Sequence, residues 1–179
     1  MTWNSQIIKN FIVFLTLLLI TPLNTLADEI NFRAENFTHL TIEDGLPQNN
    51  VRCIEEDQYG FLWLCTGDGL VRYDGYEFEL VTEGTDGSRI SNTIVRTILA
   101  DGDNLWVGTD KGLNRFDLKK GVFENHMLYE GYISSNKVIA LSASKDFIFV
   151  GTRNGLYEIK KSNENIRKNE LPVDSTSIR

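Results

Sequence analysis

Apolar and polar positions along the chain fall into three copies of one pattern. Leu62-Trp63-Leu64-Cys65-Thr66-Gly67-Asp68-Gly69-Leu70 recurs as Leu105-Trp106-Val107-Gly108-Thr109-Asp110-Lys111-Gly112-Leu113, and again as Ile148-Phe149-Val150-Gly151-Thr152-Arg153-Asn154-Gly155-Leu156. Trp63, Trp106 and Phe149 stand 43 residues apart, as do Thr66, Thr109 and Thr152, and Gly69, Gly112 and Gly155. The pairs Tyr73-Asp74 and Phe116-Asp117 keep the same spacing. A fixed period of this length marks a repeat architecture.

Each unit alternates short apolar runs with Gly, Asp and Asn clusters, which predicts four short strands. The first unit predicts them over about Asn50–Glu55, Phe61–Cys65, Leu70–Tyr73 and Glu77–Val81. The second predicts them over about Ile94–Leu99, Asn104–Gly108, Leu113–Phe116 and Val122–His126. In the third, Val138–Ala143, Phe147–Gly151 and Leu156–Ile159 are expected, with no clear fourth strand in the charged run from Lys160 to Asn165. The recurring Gly supplies a positive φ where a hairpin loop feeds the next strand, and the preceding Thr bonds to the turn backbone. Strands apolar on both faces must be covered on both sides, and four-stranded sheets stacked face to face about an axis are propeller blades. The expected fold is all-β: about three four-stranded antiparallel blades over 37–159, preceded by one extra strand at Phe37–Ile42, in an incomplete open β-propeller. Residues 160–179 are expected to start a further blade or to form a disordered tail. First and third blades are each expected to leave an apolar face open.

Residues 1–27 read differently. Lys9, the apolar run Phe11–Ile20, Pro22 and the small-residue pattern Thr25-Leu26-Ala27 make a signal peptide cleaved after Ala27, followed by a linker over 28–36. The ten-residue run is about half of a membrane span, so a membrane is a partner only if this segment stays uncleaved. The expected location is the periplasm.

Composition narrows the function classes. The chain has 179 residues, 14 glycines, two cysteines and a formal net charge of -7, which argues against nucleic acid as a partner. Cys53 and Cys65 fall on neighbouring predicted strands. A cross-strand disulfide is conceivable, but a one-residue slip would point them to opposite faces, and two buried free thiols are the expected state. No catalytic set, cofactor or metal site emerges: Gly67-Asp68-Gly69 lacks the following helix of a phosphate loop, Asp101-Gly102-Asp103-Asn104 lacks further calcium ligands, and His39 and His126 fall on predicted outermost strands. The loops leading into the inner strands carry the candidate binding groups, namely Asn49, Asn50, Asn92 and Asn136 as amides, with Ser134 and Ser135 beside the last. Arg52 and Arg96 add positive charge suited to an anionic ligand. Their expected partner is a small polar or carbohydrate-like molecule at the mouth of the channel.

The stretches Asp44-Gly45-Leu46-Pro47-Gln48-Asn49-Asn50-Val51, Glu56-Asp57-Gln58-Tyr59-Gly60, Leu62 to Thr66 and Gly69 to Gly75 resemble the two-component regulator propeller repeats of bacterial sensor proteins. Departures are Cys65 in place of the Gly found at Gly108 and Gly151, Phe149 in place of Trp, and Ser144-Lys145-Asp146 without an Asp-Gly turn. The resemblance implies a non-enzymatic periplasmic ligand-sensing segment whose output kinase or diguanylate cyclase is absent from the chain, a truncated regulator. A missing downstream segment is then the regulator's expected partner; the alternative is a stand-alone periplasmic interaction module whose ring is completed by self-association or a second chain.

Overall fold

A computed structural model describes residues 37–126, 136–162 and 166–169. The expected signal peptide, the 28–36 linker, Ser134, Ser135 and the tail beyond 170 lie outside the described residues. All described residues except Phe37 and Thr38 belong to one compact unit, His39–Arg179.

Three antiparallel four-stranded sheets form along the chain, each in sequential order from first strand to fourth. The first contains β1 (Cys53–Glu56), β2 (Leu62–Cys65), β3 (Leu70–Tyr73) and β4 (Phe78–Val81). The second contains β5 (Val95–Asp101), β6 (Asn104–Thr109), β7 (Gly112–Asp117) and β8 (Val122–His126). The third contains β9 (Val138–Ala143), β10 (Phe147–Thr152), β11 (Gly155–Lys160) and β12 (Ile166–Asn169). These are the three blades that the 43-residue period predicts.

The repeated residues do the work their spacing implies. Thr66, Thr109 and Thr152 each donate a hydroxyl hydrogen bond of 2.9 Å to the carbonyl of the Gly three residues on. Those glycines, Gly69, Gly112 and Gly155, hold φ at 150°, 133° and 122°, a region that costs a side chain strain. The aromatic-Asp pair has its own cause: Asp74 accepts backbone bonds from Tyr76 and Glu77, and Asp117 from Lys119 and Lys120, closing the β3–β4 and β7–β8 turns.

Blades pack through alternating faces. Leu105 and Val107 of β6 join Trp63, Cys65, Leu70 and Val81 of the first blade in one buried cluster, where Trp63 meets the Phe116 ring edge-on at 5.6 Å. Trp106, between them in sequence, faces the other way and packs with Val138, Ile148, Val150, Tyr157 and Ile159 of the third blade. Each fully buried side chain of this size contributes about 1.5–3 kcal/mol, and blade-on-blade burial is therefore the main source of cohesion. On the face of the first blade turned away from the second, Ile54 and Leu80 are 60% and 45% exposed.

Four expectations need correction. Phe37–Ile42 is not a strand: 37–41 carries no regular structure and Ile42–Asp44 is a 3-10 turn. A capping box sets it, with the Thr41 hydroxyl accepting from Glu43 N and the Asp44 carboxylate accepting from Thr41 N at 2.8 Å. His39 accordingly lies on no strand, whereas His126 ends β8 as expected. Ile166–Asn169, after the charged run, does not start a further blade: Ile166 pairs with Ile159 and the segment extends the third sheet as β12. The cysteines are not free thiols. Cys53 and Cys65 are direct cross-strand partners and form a disulfide, Cα atoms 5.0 Å apart; the register supplies the facing pair that a one-residue slip would have destroyed.

Candidate functional site

Antiparallel register places two kinds of segment at one end of every blade. Cys53 at the start of β1 faces Cys65 at the end of β2, which faces Leu70 at the start of β3. The loop into the first strand and the hairpin between the second and third strands therefore share an end, in all three blades. This is the mouth end. The turns Asp57–Gly60 and Asp101–Asn104 occupy the opposite end.

At the mouth, the sequence-predicted residues take different roles. Asn49 is exposed, and its Oδ1 accepts from Ile42 N at 3.0 Å, so this amide fixes the 3-10 turn to the loop. Asn50 is exposed beside it. Asn92 Oδ1 accepts from Ile94 N at 3.1 Å, a local turn bond. Asn136 is buried under the start of β9. Arg52, exposed at the head of β1, reaches across to the Val95 carbonyl of the next blade at 3.3 Å. Arg96 sits at an irregularity in the β5–β6 ladder and grips Asp110, at the tip of the β6–β7 hairpin, with Nε and Nη2 on the two carboxylate oxygens. The structure thus joins Arg52 and Arg96 through the Val95–Arg96 peptide, and leaves Asn92 and Asn136 in supporting positions.

Three contributors were not legible in the sequence. Asp110 also takes Lys137 of the third blade, Nζ to Oδ1 3.2 Å. The hydrogen bonds from Arg96, with those from Lys137, hold its carboxyl down to about 2. Asn114 is fully buried, its Nδ2 on the Val107 carbonyl and its Oδ1 on Ser91 N, and so it pins the loop before β5 to the second blade. Ser91 and Thr109 hydroxyls are 3.0 Å apart beside it. Thr109 carries the 43-residue period, but its contact with Ser91, like those of Asp110 with Lys137 and of Asn114 with Ser91, joins separate segments and has no spacing of its own.

A concavity of about 200 Å³ lies between the first two blades and is lined by Tyr59, Phe61, Trp63, Arg72, Glu79 and Glu83 among others. Its charges are matched internally. Arg72 pairs with Glu79 at 2.6 Å and stacks over Phe61, Glu83 pairs with Arg89, and buried Asp57 accepts from Trp63 Nε1, Tyr59 N and Phe61 N. Among the described residues no group of three or more His, Cys, Asp or Glu is placed to hold a metal ion, and no helix is long and apolar enough to cross a membrane.

Residues 45–68 match the family of the two component regulator propeller. That stretch runs from Gly45 through the loop, β1 and β2 to the first hairpin tip. The chain is similar to histidine kinase P4 of Formosa agariphila, 39% identical over 62 residues, which cover 35% of this chain and 4% of that protein. Its fold is similar to part of the extracellular domain of a putative hybrid two component system from B. thetaiotaomicron, with a TM-score of 0.65 and 24% identity over 74% of this chain and 20% of that one. The extracellular domain of a putative one component system from the same bacterium aligns at 25% identity and a TM-score of 0.42, over 71% of this chain and 22% of that one. This chain spans about a fifth of the length of these solved domains.

Proposed function

We propose that this chain, which carries two-component regulator propeller repeats, is a non-enzymatic, extracytoplasmic portion of a ligand-sensing propeller. The observation that carries the reading is where the family match falls: residues 45–68 span the mouth loop, inner strand and hairpin of the first blade, and the second and third blades rebuild the same parts. Export through residues 1–27, with cleavage after Ala27, delivers the blades to the periplasm. A small polar ligand binds at the mouth end, near Asn49, Asn50, Arg52, Asn92, Arg96 and Asn136. Signalling follows from differential affinity: a ligand favouring one arrangement of blades and loops shifts the population that an output module reads. That output is a kinase or a diguanylate cyclase.

The reading is tested in two steps. Alkaline phosphatase fused after Lys161 is expected to be active in an exporting host, and an inactive fusion contradicts the location. The exported chain is then melted against mono- and oligosaccharides and small organic acids. A concentration-dependent rise in Tm for one chemical class is expected; no rise across the set contradicts ligand sensing by these blades.

A further inference from the structure

We infer that the mouth end binds the oxyanion of an acidic ligand, a carboxylate or a sulfate ester, through Arg52, Arg96 and Lys137. The inference rests on the mouth reading above and adds the ligand's charge to it.

Arg96 and Lys137, both partly buried, hold the Asp110 carboxylate, and Arg52 of the first blade reaches the Val95 carbonyl next to Arg96. One carboxylate balances one of three positive charges. Lys111 and Arg153 stand on hairpin tips at the same end, opposed there by Asp68. This positive excess runs against a chain whose net charge is -7, so it does not follow from composition; a cleft of one sign raises the local concentration of the opposite charge.

Asp110 shows which chemistry the cluster accepts. Arg96 meets it with a two-pronged fork, the geometry that suits carboxylate and sulfate oxygens. Arg52 has the same fork, is exposed, and among the described residues meets a neutral carbonyl acceptor. An incoming oxyanion at Arg52 would sit beside the pair already formed, with an approach open to solvent. By contrast, the cavity between the first two blades is lined by Arg72, which is matched to Glu79, and by further carboxylates, and offers no such excess.

The test is calorimetric titration of the exported chain, at low salt, with D-glucuronate, D-glucose 6-sulfate and D-glucose. Glucuronate or the sulfate is expected to bind about tenfold tighter than glucose, and to weaken as salt is added; the two acids separate a carboxylate from a sulfate source. Arg52→Gln is expected to weaken the acid several-fold with an unchanged Tm, and Asp110→Asn to strengthen it by removing the internal competitor. Acids that bind no tighter than glucose, or not at all, overturn the inference, as does tight binding that Arg52→Gln leaves unaltered. Glucose binding with equal strength and loss on Arg52→Gln would overturn the charge assignment while leaving the mouth reading intact.

Discussion

Val138 of the third blade occupies the space that a side chain at Gly108 of the second would need, with its Cγ1 2.5 Å from where a Cβ would stand. Thr97 closes the same space from β5, Cγ2 at 2.7 Å. Gly108 is therefore a packing requirement between the second and third blades, separate from the positive-φ requirement at Gly112, whereas a Cβ at the equivalent Gly151 would meet Ala140 of its own blade at 3.4 Å. Gly108→Ala is expected to cost about 1–3 kcal/mol by overpacking, read as a lower urea midpoint with an unchanged slope. A neutral substitution would mean that the second and third blades are not docked this way.

The first blade answers the same position differently. Cys65 is fully buried and bridged to Cys53, twelve residues away. Replacing both cysteines by serine is expected to cost about 2–3 kcal/mol, the magnitude for a short closed loop. Thiol titration of the exported, denatured protein without reductant should find no free thiol among the two; two titratable thiols would contradict the bridge.

Asp110 ties the mouth end together electrostatically, and its pH dependence has a definite sign. Its carboxyl is depressed from 3.8 to about 2 by the Arg96 and Lys137 bonds, so its contribution is full above 3.8 and is lost as pH falls towards 2. The stability difference between wild type and Asp110→Asn should therefore be constant near neutral pH and shrink across that acid window. A difference that grows on acidification would contradict the assignment.

Asp57 organises the turn at the opposite end. It is buried and accepts from Trp63 Nε1 at 2.7 Å as well as from two backbone amides. Asp57→Ala removes those bonds and leaves the indole without its acceptor, at a cost of about 2–4 kcal/mol. The red shift of tryptophan emission that accompanies exposure of the buried Trp63 and Trp106 should come at a lower urea concentration in the variant than in wild type.

Local rules carried most of the fold. The Thr-to-Gly hairpins and the aromatic-Asp turns each follow from residues a few positions apart, and the 43-residue recurrence turned one legible unit into three blades. Thr41 and Asp44 also carried a local signal, Thr-x-x-Asp, which marks a capping box rather than the strand expected at Phe37–Ile42. Two other points depended on register. Whether Cys53 faces Cys65 is decided by one residue, and Ile166 becomes the outermost strand because it meets Ile159 across a polar run that shows no period. At the site, Arg52 and Arg96 were visible as cations near strand starts. Their organisation was not, since Asp110 joins Arg96 to Lys137 across a blade boundary and no sequence spacing encodes that contact.

The account stands most directly on where a ligand touches the blades. Hydrogen exchange of the exported chain, with and without the acid that raises its Tm most, resolves this at the level of peptides. Protection confined to the mouth segments around 47–52, 90–96, 110–112 and 136–138 is the expected result. Protection at the opposite turns, 57–61 and 101–104, with the mouth segments unchanged, would contradict it.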